Sequence, residues 1–280
     1  MKYLVVGSDG QIGSHLVEYL QEQGNSVSTF DIVSSIEQDL RIHKNPLLKQ
    51  KMQECDFVYF LAFDVGGSRY LKKYQNTFDF INNNTKIMDT TFSCLRETGK
   101  PFLFASSQMS NMDYSSYGTQ KRIGEYYTDV LGGITVKFWN VYGVEKDETK
   151  SHVITDFIQK ALNVGIIDMM TDGSEERQFL YANDCCECLY KLSLVYSSLS
   201  RNEQYHITNF KWTKIIDIAN HISDIIPCKV IPSITKDLIQ NNMRNEPDCS
   251  ILKYWNPNTD IKQGITNMCN YYKNLQKKEI

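Results

Sequence analysis

The chain has 280 residues, 41% hydrophobic and 22% charged, an ordinary globular composition that excludes a disordered polymer and leaves room for a full α/β core. Its formal net charge is −3, which argues against a basic surface for nucleic acid or for an anionic membrane. The short apolar stretch behind Met1 lacks the length and cleavage site of a signal peptide, and no run approaches the ~18 apolar residues of a membrane span, so a cytoplasmic protein with reduced thiols is expected.

Tyr3 to Val6 reads as a buried strand, followed by a glycine turn and a helix with Ile12, Leu16, Val17 and Leu20 on one face. Gly24-Asn25 stops that helix, and residues 27–32 read as the second strand. Further strands are expected at 58–63, 101–106 and 134–141, with one long helical stretch over about 68–98. Strands alternating with helices form right-handed βαβ units, so the expected fold is α/β, a Rossmann-type doubly wound parallel sheet. After Gly143 the rhythm changes. A helix is expected over 155–162, a strand over 177–182 with Asp184 capping the next helix, a strand over 205–208, and helices over 214–226 and 260–273. The expected division is a dinucleotide-binding domain over 1–143, rejoined by about 177–210, and a smaller C-terminal α+β substrate lobe over 144–280. Cys185, Cys186 and Cys188 lie close together but lack a second CxxC or a nearby histidine; they read as packing thiols, and no metal site is expected.

Gly7, Gly10 and Gly13 fall between the first strand and the first helix, with Gln11 and Ile12 opening that helix. The first glycine permits the tight turn, the second lets backbone approach a pyrophosphate, and the third lets helix and strand pack closely. Free N–H groups at the helix start favour phosphate charge. Asp31, ending the second strand, is placed to accept hydrogen bonds from a ribose 2′-OH and to repel a 2′-phosphate, which selects NAD over NADP. Further cofactor contacts are expected at Ile32, Asp39 and Leu40.

Tyr117 and Lys121 stand four residues apart, on one face of a helix. Bringing a phenol from its usual pKa of about 10 to near 7 takes about 4 kcal/mol. An ammonium about 4 Å away in a partly desolvated site supplies roughly that much. A phenol so tuned can take a proton from a sugar hydroxyl and return it.

Together with Ser106-Ser107, Leu61-Ala62, Asn140-Val141-Tyr142-Gly143, the segment Thr171 to Phe179 and the Trp255-x-Pro257 step, this pattern resembles the NAD-dependent epimerase/dehydratase branch of the extended short-chain dehydrogenase/reductase superfamily. The resemblance implies NAD as cofactor, with Leu61 and Ala62 beside it and Ser107, Tyr117 and Lys121 as the catalytic set. It implies a nucleotide diphosphate sugar held by Asn140, Arg177 and Arg244. Separately, His152 is expected to reach the substrate from the other lobe. The resemblance also implies a homodimer through two long helices, for which Phe78, Phe80, Ile81, Ile87 and Met88 supply apolar positions.

Departures from the family pattern narrow the reaction. Where dehydratases of the family carry an Asp-Glu pair, this chain has Gln108-Met109, and Met109 also stands where decarboxylases carry Glu and 3,5-epimerases Cys. The expected activity is therefore C4 epimerisation of a nucleotide sugar through transient oxidation. Its alternatives are a C4 dehydrogenase or 4-ketoreductase and, in another class, an NAD-binding sensor without turnover. Tyr117 stands only ten positions after Ser107, a shorter spacing than the family norm, so Met109, Asn111, Met112 and Asp113 are expected in a remodelled sugar pocket. Gly66-Gly67 reads as a strand-to-helix turn that shapes the substrate site, and Lys137 replaces the arginine of many relatives.

Overall fold

Strand β1 (Lys2–Val6) is buried on both faces apart from its first residue, as a central strand of a parallel sheet must be. The structure, a computed structural model describing residues 1–112, 114–145, 147–237 and 245–278, sets it between β2 (Ser26–Phe30) and β3 (Phe57–Phe60). Beyond β3 follow β4 (Phe102–Ser107), β5 (Ile134–Phe138) and β9 (Tyr205–Ile207), all parallel, in the order β2-β1-β3-β4-β5-β9. The order reverses between β1 and β3, which opens a crevice at the carboxyl ends of the strands. One face of the sheet packs on α1 (Gln11–Glu22) and α7 (Ala182–Leu194). The other face packs on α2 (Pro46–Glu54), α4 (Phe78–Thr98) and α5 (Ser116–Val130). This is the doubly wound α/β arrangement.

The expected strand over 134–141 is two strands in different sheets. The chain leaves the main sheet at Trp139, and β6 (Asn140–Tyr142) pairs with β8 (Glu176–Tyr181), which also carries β10 (Trp212–Lys214). An apolar run gives no sign of such a change of partner. A further pair, β7 (Ile166–Asp168) and β11 (Lys229–Ile231), joins α6 (Val153–Asn163), α8 (Ile215–Ile225) and α9 (Ile261–Lys278) around a separate core that includes Phe157, Ile158, Ile218, Ile222 and Met268.

Three other expectations need correction. The helix over 68–98 is interrupted: α3 (Ser68–Tyr74) ends, and Thr77 caps α4 by accepting from the Phe80 N–H at 3.3 Å. Asp184 caps no helix; it lies inside α7 and accepts the backbone N–H groups of Asn258 and Thr259, tying the segment after Trp255 to that helix. Phe80 and Met88 belong to the core under the sheet rather than to an outer face of α4. Cys185, Cys186 and Cys188 pack in the core beneath α7, where burial pushes their thiols upward. Among the described residues no helix is long and apolar enough to cross a membrane.

Candidate active site

A cleft of about 560 Å³ runs along the carboxyl ends of the strands, from the glycine turn to the second lobe. Gly7 has φ +92°, and a Cβ there would come within 2.5 Å of the Ala62 nitrogen. A Cβ on Gly13 would come within 2.0 Å of the Gly7 carbonyl oxygen, so the helix can approach the turn only without one. Gly10 is different: its Cβ would meet only that oxygen, at 3.5 Å, and the open side is the cleft. Gln11, which lines the cleft, has its Nε2 buried without a hydrogen-bond partner among the described residues, a donor left for a ligand. The residues present thus fit the pyrophosphate of a dinucleotide.

Farther along, Asp31 and Ile32 line the cleft, with Asp31 accepting the backbone N–H groups of Asp9 and Val33, each at 3.0 Å. Asp39 and Leu40 line it too, as do Leu61 and Ala62. Arg41, which the sequence did not single out, forks onto Asp39 (Nε to Oδ1 2.9 Å, Nη2 to Oδ2 2.9 Å) and holds its carboxyl below the usual range.

At the centre, Ser107 ends β4 and Tyr117 and Lys121 project from the first turns of α5. Gly118 makes this possible, since a Cβ there would strike the Met109 carbonyl at 2.2 Å; the turn after β4 lies directly on the helix. Tyr117 is 8% exposed, and Ser107, whose Oγ accepts the Met109 N–H at 3.1 Å, acts on the phenol in favour of its ionised form. Lys121 is 3% exposed; its Nζ donates to the Ala105 carbonyl at 2.7 Å and lies 5.8 Å from the Tyr117 ring centroid. The expectation of an ammonium about 4 Å away pulling the phenol toward 7 does not hold for the chain alone. Burial dominates both groups, lifting the phenol to about 12 against the pull of Ser107 and pushing Lys121 down to about 7 against Glu125. Behind them Ser106, Glu125 and Lys137 form a buried network, with Ser106 Oγ donating to Glu125 at 2.5 Å and the exposed Asn111 accepting from Lys137 at its edge.

The second lobe supplies the far wall. Asn140 donates to the Gln178 carbonyl, and Arg177 donates to Asp237 (2.6 Å) and the Glu176 carbonyl (2.7 Å); both line the cleft. His152 lines it as well, with Nδ1 2.6 Å from a buried Glu145 that also accepts the His152 N–H. Arg244 lies outside the described residues. Gly66-Gly67 is more than a turn: a Cβ on Gly67 would lie 2.3 Å from the Ser151 carbonyl, so this loop packs directly on the segment carrying Lys150 and His152. Met109 lines the cleft; Asn111 instead holds Lys137, Met112 is buried outside the cleft lining, and Asp113 lies outside the described residues. Sequence reasoning missed Phe63, Trp139 and Glu145, all cleft-lining, because none belongs to a spaced motif.

Residues 3–208 match the NAD dependent epimerase/dehydratase family. The chain is 21% identical to UDP-glucuronic acid decarboxylase 1 of Danio rerio, over 97% of this chain and 72% of that protein. It is 23% identical to an uncharacterized UDP-glucose epimerase of Bacillus subtilis (strain 168), over the whole of both. Similar solved structures include an epimerase from Methanothermobacter thermautotrophicus, with a TM-score of 0.85 at 18% identity over 99% of this chain and 93% of that one. A UDP-glucose 4-epimerase of Thermotoga maritima, solved with UDP-glucose, gives 0.78 at 19% identity over 99% and 100%.

Proposed function

Since the chain belongs to the NAD-dependent epimerase/dehydratase family, with NAD as its cofactor, we propose that it is a nucleotide-sugar epimerase acting through transient oxidation at C4. The observation that carries this reading is what surrounds the Tyr117 phenol. Ser107 and Lys121 accompany it, while the two positions after Ser107 hold an amide and a thioether, neither of which exchanges a proton at neutral pH. Gln108 is moreover engaged by Asn245, which donates to both its carbonyl and its side-chain oxygen. Elimination of water needs one group to remove a proton from carbon and another to protonate the leaving hydroxyl; this pair supplies neither. Epimerisation at C4 needs only one proton taken and given back.

In this reading Tyr117 takes the proton of the C4 hydroxyl and returns it when the ketone is reduced on its other face. Ser107, which favours the ionised phenol, holds the reacting oxygen, and Lys121 as the ammonium adds positive charge on the same side of the helix. NAD held in this cleft would supply the hydride acceptor at C4 and a positive charge beside the phenol. Arg177, which has donors beyond those given to Asp237 and Glu176, serves the diphosphate with Asn140, and His152 serves the substrate from the opposite side. The proposed assembly is a homodimer through α4 and α5, where Phe78, Ile81, Ile123, Tyr126 and Val130 are exposed.

The test is incubation with a panel of UDP-, GDP- and dTDP-sugars, following cofactor absorbance and the stereochemistry of the sugar. Inversion without net NADH is expected. Stoichiometric NADH with a keto product would replace this reading by a C4 dehydrogenase, and tight NAD binding without any turnover by a sensor.

A further inference from the structure

Phe63 follows the Leu61-Ala62 step at the end of β3 and lines the cleft. The Lys121 Nζ lies 3.8 Å from the centroid of its ring, nearer than to the rings of Phe104 (5.2 Å) or Tyr117 (5.8 Å). The same ring meets that of Tyr117 edge to face, with centroids 5.7 Å apart and planes at 76°. One side chain therefore touches both members of the acid/base pair.

The ring face carries negative potential and attracts a cation, the more strongly where water is excluded. Lys121 sits in such a place, with one hydrogen bond among the described residues, to the Ala105 carbonyl. Burial favours its neutral amine, and a neutral amine exerts no field on the phenol.

The charged groups around it do little to compensate. On its own helix Glu125 acts on it through space, but that carboxylate is already held by Arg122 at 2.8 Å and Lys137 at 3.4 Å. Lys137, on β5, brings a like charge. Asp64, beside Phe63, is taken by Tyr70 at 2.6 Å and Lys150 at 3.3 Å. From β4 come only the neutral Phe104, Ser106 and Ser107.

We propose that Phe63 is a positioning residue for the acid/base pair: its face keeps Lys121 as the ammonium inside the cleft, and its edge fixes the ring of Tyr117. The proposal rests on the reading that Tyr117 and Lys121 carry the proton transfer.

The measurement is the pH titration of Lys121 in cofactor-free protein, read by NMR of isotope-labelled lysine and assigned by loss of the signal in Lys121→Met. Removing the aromatic face favours the neutral amine, so Phe63→Leu and Phe63→Met should lower the midpoint by about half to one pH unit, while Phe63→Tyr keeps it. In turnover the ammonium is lost as pH rises, so the alkaline limb of the kcat profile should move down by a similar amount in the Leu and Met variants and stay in place in the Tyr variant. Two non-aromatic variants guard against one that fails to fold. An unmoved midpoint in a folded Leu or Met variant overturns the inference. A midpoint that follows the ring in a protein inert toward every nucleotide sugar would leave Phe63's hold on the ammonium standing while the epimerase reading falls; turnover with an unmoved midpoint would do the opposite.

Discussion

Two glycines of the same turn should respond in opposite ways to the same methyl group. In Gly13→Ala the new Cβ would stand 2.0 Å from the Gly7 oxygen and 2.9 Å from the Gly7 carbon and Ser8 Cα. Neither partner can yield cheaply, because both are backbone and the Gly7 N–H is fixed to the Phe30 carbonyl at 2.8 Å. Overpacking of this kind costs up to about 3 kcal/mol, and alanine regains about 1 kcal/mol of helix propensity, leaving a loss of about 2 kcal/mol. For a chain of this size that lowers the melting temperature by about 4 to 8 °C. Gly10→Ala meets only an ordinary 3.5 Å contact at φ −68°, so its melting temperature should stay within about 1 °C of wild type. Its methyl group projects into the cleft instead, and NAD affinity should fall about tenfold or more, the equivalent of about 1.4 kcal/mol. Calorimetric unfolding of both variants, with NAD titrations alongside, separates the effects. If Gly10→Ala bound NAD as wild type does, or Gly13→Ala melted with it, the assignment of this turn would be wrong.

Tyr117→Phe should lower turnover by about two orders of magnitude or more while NAD still binds; near-normal rates would remove the phenol from the mechanism. Asp31→Ser should weaken NAD and relax discrimination against NADP, and unchanged selectivity in paired titrations would remove Asp31 from the ribose site. Gly67→Ala, whose Cβ would press on the Ser151 carbonyl, should raise KM for the nucleotide sugar several-fold by displacing His152, with NAD affinity unaltered; a KM equal to wild type would show that the loop contact does not shape the substrate site. Lys121→Met tests the linkage between burial and stability. The folded-state value, about 7, lies below the unfolded 10.5, so the cost of burying the ammonium is fully present below pH 7 and shrinks as pH rises from 7 to 10.5. The variant should therefore melt higher than wild type at pH 6, gain clearly less at pH 9, and lose turnover; equal gains at both pH values would contradict the assigned shift.

Local features of the sequence carried much of the fold and of the cleft. β1 and β3 read as buried strands because parallel strands covered on both faces need continuous apolar runs. The glycine turn was legible because each of its spacings answers a backbone requirement, and Tyr117 with Lys121 because helical periodicity sets them on one face. The break at Trp139 was not legible, since an apolar strand looks the same whichever sheet it joins. Nor was the ionisation of the central pair. Spacing gave the neighbourhood of phenol and amine, but the surrounding burial, raising the phenol and lowering the amine, governs which proton is held.

By itself, then, the chain of residue types determined a doubly wound sheet, a glycine turn at its first helix and a phenol and an amine four residues apart on one helix face, because these depend on local periodicity and local backbone sterics. Only tertiary structure decided what stands beside them: Phe63 over the ammonium, Glu145 behind His152, Asp237 on Arg177, and the Gly67 loop against Ser151. Such contacts join residues far apart in the chain, and their strength depends on distance and on the exclusion of water, neither of which a linear order of side chains expresses.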